Sequence, residues 1–74
     1  MSRLIRMDQT GHTTVAEWTV DDPRSTEAAI AAFRAELEQG YFGLISHGEG
    51  HAEQVRELPL DAQLVILRRP IAGG

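Results

Sequence analysis

The chain contains no cysteine, no lysine and no asparagine, and only four of its 74 residues are aromatic. The lack of cysteine excludes a disulfide framework, a thiolate site for zinc and a cysteine nucleophile. All seven basic residues are arginine, so the only primary amine is the N-terminal amine of Met1. The chain therefore cannot be joined to copies of itself through lysine side chains.

Positive charge and long apolar segments are also scarce. The net charge of −4 argues against a nucleic-acid partner, which would require a basic patch to neutralise phosphates. The longest apolar runs, residues 28–33 and 64–67, are far shorter than the roughly 20 residues that span a bilayer. No basic-then-apolar signal segment opens the chain, so we expect a cytoplasmic protein without a membrane partner. Its 74 residues suffice for one small domain.

Residues 2–8 and 13–20 predict the two strands of a β-hairpin. The second segment alternates with a period of two and is rich in β-branched side chains, which is typical of a half-buried strand. The polar residues between the two segments include Gly11 and favour a turn. If the apolar pair Ile5 and Met7 of the first strand faces inward, Leu4 and Arg6 face outward.

A single amphipathic helix is predicted between Asp22 and Gly40. Asp22 and Pro23 supply an N-cap acid and a proline suited to the first helical position, or else Ser25 caps a slightly later start. Gly40 is well placed as the residue just beyond the last turn. Apolar positions recur at spacings of four, three and four and form one stripe: Thr26, Ile30, Phe33 and Leu37.

Three further strands are predicted after the helix. Residues 63–68 include four consecutive apolar residues, as a central strand does, whereas residues 51–58 are more polar and are expected at an edge. With residues 41–46 the order becomes β-β-α-β-β-β. The predicted fold class is α+β, a mixed sheet with one helix packed on one face. One of two pairs in the last strand must face away from the helix: Leu64 with Ile66, or Val65 with Leu67.

The last six residues are RPIAGG, and they follow the last predicted strand directly. With this ending and with its order of elements, the sequence resembles the β-grasp superfamily of ubiquitin-like modifiers and of the sulfur-carrier proteins of molybdopterin and thiamine synthesis. Residues 70–74 are more similar to the sulfur carriers and residues 64–68 to ubiquitin, so both classes stay open. The resemblance implies a ubiquitin-like β-grasp domain over residues 1–68 and a flexible tail over residues 69–74.

The resemblance also implies a function in which the chain is a substrate and not an enzyme. An E1-like adenylating enzyme would use ATP to activate the carboxylate of Gly74, while the chain itself binds no cofactor. Gly73 and Gly74 would pass through a narrow channel that has no room for a Cβ atom. Further implied partners are an E2-like conjugating enzyme, a JAB-type protease and protein targets. The partner enzyme would recognise the tail through five residues: Arg68, Arg69, Pro70, Ile71 and Ala72.

Other interpretations of the sequence compete with this one. The domain could instead be a non-covalent adaptor or a structural, phage-type interaction module that uses a face of its sheet. His47, Glu49 and His51 alternate along the chain and could ligate a metal, but a solvated hairpin turn is the favoured interpretation because no fourth ligand is evident. Trp18 and Tyr41 are expected in or near the core.

Overall fold

The chain folds into five strands and one helix, in the order that the sequence predicts. The structure is a computed structural model, and it describes residues 1–46 and 50–70. The elements are β1 (Ser2–Asp8), β2 (Gly11–Trp18), α1 (Pro23–Glu38), β3 (Phe42–Ser46), β4 (Ala52–Val55) and β5 (Leu64–Arg68). The main departures from the predicted bounds are an earlier start of β2, at Gly11, and a shorter β4.

The five strands form one mixed sheet in the order β2-β1-β5-β3-β4. The first and last strands of the chain, β1 and β5, are parallel neighbours, and all other neighbouring strands are antiparallel. The apolar strand β5 lies at the centre, and the polar strand β4 lies at an edge, as predicted. The domain is thus a small α+β fold with one helix packed on a mixed five-stranded sheet, an arrangement compatible with a β-grasp fold.

The two ends of α1 follow the expected capping chemistry. Asp22 is the N-cap, and its side chain accepts a hydrogen bond from the backbone N–H of Arg24 at 3.1 Å. Ser25, the alternative cap, instead accepts a hydrogen bond from the backbone of Thr19 at the end of the hairpin. Beyond the helix, Gly40 has a φ of 98°, a left-handed conformation that glycine adopts without a steric penalty.

The core lies between α1 and one face of the sheet. Its fully buried side chains are Leu4, Trp18, Ala29, Phe33, Val65 and Leu67. The indole N–H of Trp18 donates a hydrogen bond to the carbonyl oxygen of Leu60 at 3.0 Å. This bond satisfies the one polar atom of the indole and ties β2 to the segment that precedes β5.

The structure fixes the orientation of β1, which the sequence pattern left open. Leu4 is fully buried and Arg6 reaches the helix, so these residues face α1 while Ile5 and Met7 face away from it. The register between β1 and β2 shifts after Leu4, where an extra residue of β2 makes a β-bulge. In β5, Val65 and Leu67 face the helix, and Leu64 and Ile66 therefore face away.

No helix within the described parts of the chain has the length and apolar character that crossing a membrane requires.

Candidate functional site

The segment that follows β5 begins beside a groove on the surface of the domain. The groove has a volume of about 710 Å³ and is lined by residues 7–9, Tyr41 and residues 68–70. We call it the exit groove, because Arg68 ends β5 here and Arg69 and Pro70 leave the sheet. Three of the residues predicted for recognition by the partner enzyme, Arg68, Arg69 and Pro70, thus line the exit groove. Ile71, Ala72, Gly73 and Gly74, also predicted as tail residues, lie outside the described residues.

Arg68 and Arg69 have different surroundings, although they are adjacent and both exposed. Arg68 is opposite Phe42 of β3, and as the second residue after Ile66 it lies on the face of the sheet that is turned away from the helix. The guanidinium of Arg69 lies over the ring of Tyr41, with 5.5 Å between its central carbon and the ring centroid. The sequence assigned both arginines the same role, and the structure separates them.

Tyr41 is half-buried and lies between the end of α1 and the start of β3. Its backbone N–H donates a hydrogen bond to the carbonyl oxygen of Glu36 at 3.1 Å. A second guanidinium, that of Arg6, also lies over its ring, 5.6 Å from the centroid. Cations are attracted to the face of an aromatic ring at such distances, so Tyr41 links β1, the helix end and the start of the tail.

The carboxylate of Glu36 pairs with Arg6 at the helix–sheet boundary. Glu36 is only 8% exposed, and its Oε1 accepts a hydrogen bond from Nη1 of Arg6 at 2.5 Å. A buried carboxylate is costly unless it is paired, and Arg6 supplies the pair. We refer to Arg6, Glu36, Tyr41 and Arg69 as the Tyr41 cluster.

The lining of the exit groove also includes a negative charge. Asp8 is exposed at the end of β1, and its Oδ1 accepts two hydrogen bonds from Thr10, one from the hydroxyl at 2.6 Å and one from the backbone N–H at 2.8 Å. These bonds, the hydroxyl bond first, lower the pKa of Asp8 because they favour its charged form. The lining of the groove therefore combines a carboxylate with two arginines.

The sheet face turned away from α1 presents a row of apolar side chains. Ile5, Ile66 and Leu44 lie side by side on three neighbouring strands and are half-buried. Leu64 on the same face is 43% exposed. This row, which we call the open face, is the surface that the adaptor interpretation requires.

The sequence analysis overlooked Arg6 and Glu36. A signal for Glu36 was present, because it follows Phe33 by three residues and so falls on the apolar side of the helix. For Arg6 the signal was its alternation with Leu4, which places both residues on the same face of β1. Tyr41 was expected near the core, where it lies, but its two arginine contacts join residues far apart in sequence.

Most of the histidine-rich turn lies outside the described residues. His47 and Glu49 lie outside the described residues, and His51 is exposed before β4. Within residues 1–46 and 50–70, no group of three or more histidine or acidic side chains is arranged to hold a metal ion.

Comparison of the chain with models of protein families, with curated proteins and with solved structures finds no match.

Proposed function

We propose that this chain is a β-grasp protein of the ubiquitin-like or sulfur-carrier type, whose Gly74 carboxylate is activated by a separate adenylating enzyme. The observation that carries the proposal is the position of the segment after β5. The central strand runs parallel to β1 and delivers Arg69 and Pro70 to the exit groove, and the sequence continues to Gly73-Gly74. The proposal requires that Gly74 carry the free α-carboxylate in the mature protein.

In the proposed reaction this chain supplies the carboxylate, and the partner enzyme supplies the catalysis. A carboxylate oxygen of Gly74 would attack the α-phosphate of ATP, forming a mixed anhydride and releasing pyrophosphate. A sulfur or amine nucleophile would then attack the carbonyl carbon, and AMP would leave. Glycine at the last two positions lets the backbone approach the nucleotide closely. Residues 71–74 span at most about 14 Å when fully extended, so the domain must dock close to the nucleotide.

Pro70 and the arginines fit this role as parts of the delivery segment. Proline holds φ near about −65°, which favours an extended exit from the sheet. Arg68 and Arg69 place two of the chain's seven positive charges at this end of a chain whose net charge is −4, so this end of the molecule is suited to an acidic surface on the partner.

The proposal is tested by exchange of radiolabelled pyrophosphate into ATP with a cognate adenylating enzyme. Exchange is expected with the wild-type chain, and Gly74→Ala is expected to reduce it because its Cβ obstructs the channel. Gln54→Ala, an exposed substitution on β4 away from the tail, serves as the control. If the enzyme activates another carrier but not the wild-type chain, the proposal is wrong.

The payload is identified by intact-mass analysis of the protein from its native cell. Replacement of one carboxyl oxygen by sulfur indicates a sulfur carrier, whereas conjugates of higher mass indicate a modifier. Unmodified chains that extend past Gly74 would contradict both versions of the proposal.

The open face favours a second function, that of a non-covalent adaptor. An apolar row on a solvent-facing sheet is a suitable surface for a protein partner. Deletion of Gly73 and Gly74 distinguishes the two functions, because an adaptor keeps its partner and its phenotype while a carrier loses both. Ile66→Asp places a charge on the open face. In an adaptor this variant is expected to abolish partner binding, whereas a carrier should retain activation of Gly74.

A further inference from the structure

The Tyr41 cluster connects the start of the tail to the body of the domain. Arg69 is the first residue after β5, and its guanidinium contacts the ring of a residue whose own backbone is bonded to the last turns of α1. Beside it, a Cβ atom placed on Gly40 would lie 3.8 Å from Nε of Arg69, which is ordinary contact distance. Arg69 therefore lies against the turn between α1 and β3.

The charges of the cluster explain how one ring can hold two arginines. Two guanidinium groups near the same ring repel each other, and this repulsion would displace the more exposed one, Arg69. The buried carboxylate of Glu36 offsets the charge of Arg6, so that the second cation is tolerated. Glu36 and Arg6 thus support the contact between Tyr41 and Arg69 without touching the tail.

We infer that Tyr41 is a positioning residue: by holding Arg69, it fixes the direction in which the chain leaves the sheet. Arg68, which points to the other face, is left as the arginine available to a partner. The inference has two parts. The first, that Tyr41 restrains residues 69 and 70, does not depend on any activity. The second, that this restraint presents the tail to an adenylating enzyme, rests on the proposed function.

The contact is tested by NMR on the full chain. A ring that lies beside Arg69 shifts the resonance of its Nε–H proton upfield. In Tyr41→Leu this shift is expected to disappear, and the heteronuclear NOE of the residue 69 amide is expected to fall. Tyr41→Phe keeps the ring and should behave as wild type, and Arg68→Gln serves as a neighbouring control. An unchanged Arg69 resonance in Tyr41→Leu would overturn the inference.

A second pair of variants covers the case in which Tyr41→Leu does not fold. Arg69→Gln leaves Tyr41 in place and is expected to lower the heteronuclear NOE of the residue 69 amide, whereas Arg68→Gln should leave that NOE unchanged. Glu36→Gln removes the offsetting charge and is expected to weaken the upfield shift of Arg69. If neither variant changes these signals, the cluster does not position the tail.

The functional role is tested by the kinetics of pyrophosphate exchange with the adenylating enzyme. A tail that is no longer directed must be ordered upon binding, so Tyr41→Leu should raise KM by roughly tenfold or less and leave kcat unchanged. Tyr41→Phe should restore the wild-type KM. A lost NMR shift with an unchanged KM would refute the role in activation. Absence of exchange with every variant and the wild type would refute the proposed function but not the contact.

Discussion

The ring of Phe33 on the helix packs directly against the backbone of Gly43 in β3. A Cβ atom added to Gly43 would lie 2.6 Å from Cε1 of Phe33 and 2.8 Å from its Cζ. These distances are too short for any real contact, so the ring can lie against the strand only because this residue has no side chain. The same atom would also approach Val55 of the neighbouring strand, at 3.3 Å.

Gly43→Ala is therefore expected to destabilise the protein by about 1–3 kcal/mol, because the core is overpacked. The measurement is urea unfolding followed by the fluorescence of Trp18. In a Phe33→Leu background the same change should cost less, since the ring that obstructs the new methyl group is gone. Equal costs in the two backgrounds would contradict the contact.

Asp8 and Thr10 provide a prediction about pH. Thr10→Val removes the hydroxyl hydrogen bond, so the pKa of Asp8 should rise, though the backbone bond continues to favour the carboxylate. Because the pKa is lowered in the folded state, the stabilisation is present above the unfolded-state pKa and is lost as the pH falls through the folded-state pKa.

The pKa is measured by an NMR titration of the Asp8 carboxyl carbon. Thr13→Val is the control, because Thr13 is equally exposed and its hydroxyl has no partner among the described residues. A pKa that moves as much in the control as in Thr10→Val would show that the hydroxyl of Thr10 is not the cause.

At the scale of single elements, the N-terminus of α1 depends on Asp22. Asp22→Ala is expected to cost about 0.5–2 kcal/mol, since it removes the acceptor for the N–H of Arg24. Asp21→Ala is a matched control, one residue earlier and equally exposed, and it should change stability by less than about 0.5 kcal/mol. Thermal unfolding followed by circular dichroism measures both, and equal losses would mean that charge and not capping is at work.

The elements themselves could be predicted because their signals are local. The cap at Asp22, the glycine at position 40 and the alternation in β2 each depend on residues within one turn or one strand. The orientation of β1 could not be predicted in this way. Arg6 faces the core because Glu36, 30 residues away, offers it a carboxylate, and no local pattern carries that information.

At the scale of the whole molecule, the hydrogen bond from Trp18 to Leu60 links the hairpin to the segment before β5. The two halves of the sheet should therefore unfold together. Trp18 is 1% exposed and is the only tryptophan, so its fluorescence reports the burial of the hairpin. Urea transitions followed by Trp18 fluorescence and by far-ultraviolet circular dichroism are expected to coincide. An earlier transition in fluorescence would mean that the hairpin opens independently.

Only the residues of the candidate site that follow β5 could be predicted from the sequence. The sequence identifies Arg68, Arg69 and Pro70 as residues that follow the central strand, and the structure describes them there. Arg69 contacts Tyr41, whereas Arg68 lies on the other face of the sheet. This difference arises only once the sheet and the helix have assembled. Side-chain contacts between distant segments are the part of a site that composition and spacing do not determine.

The parallel pairing of β1 with β5 has a consequence for biosynthesis. The strand made first finds its central neighbour only when residues 64–68 have left the ribosome, so until then no strand pairing joins the two hairpins of the nascent chain. During that interval the side chain of Leu4, which is fully buried in the folded protein, is not yet packed against β5. Chaperones that recognise apolar segments are therefore expected to bind the unfinished chain and to release it once β5 is inserted.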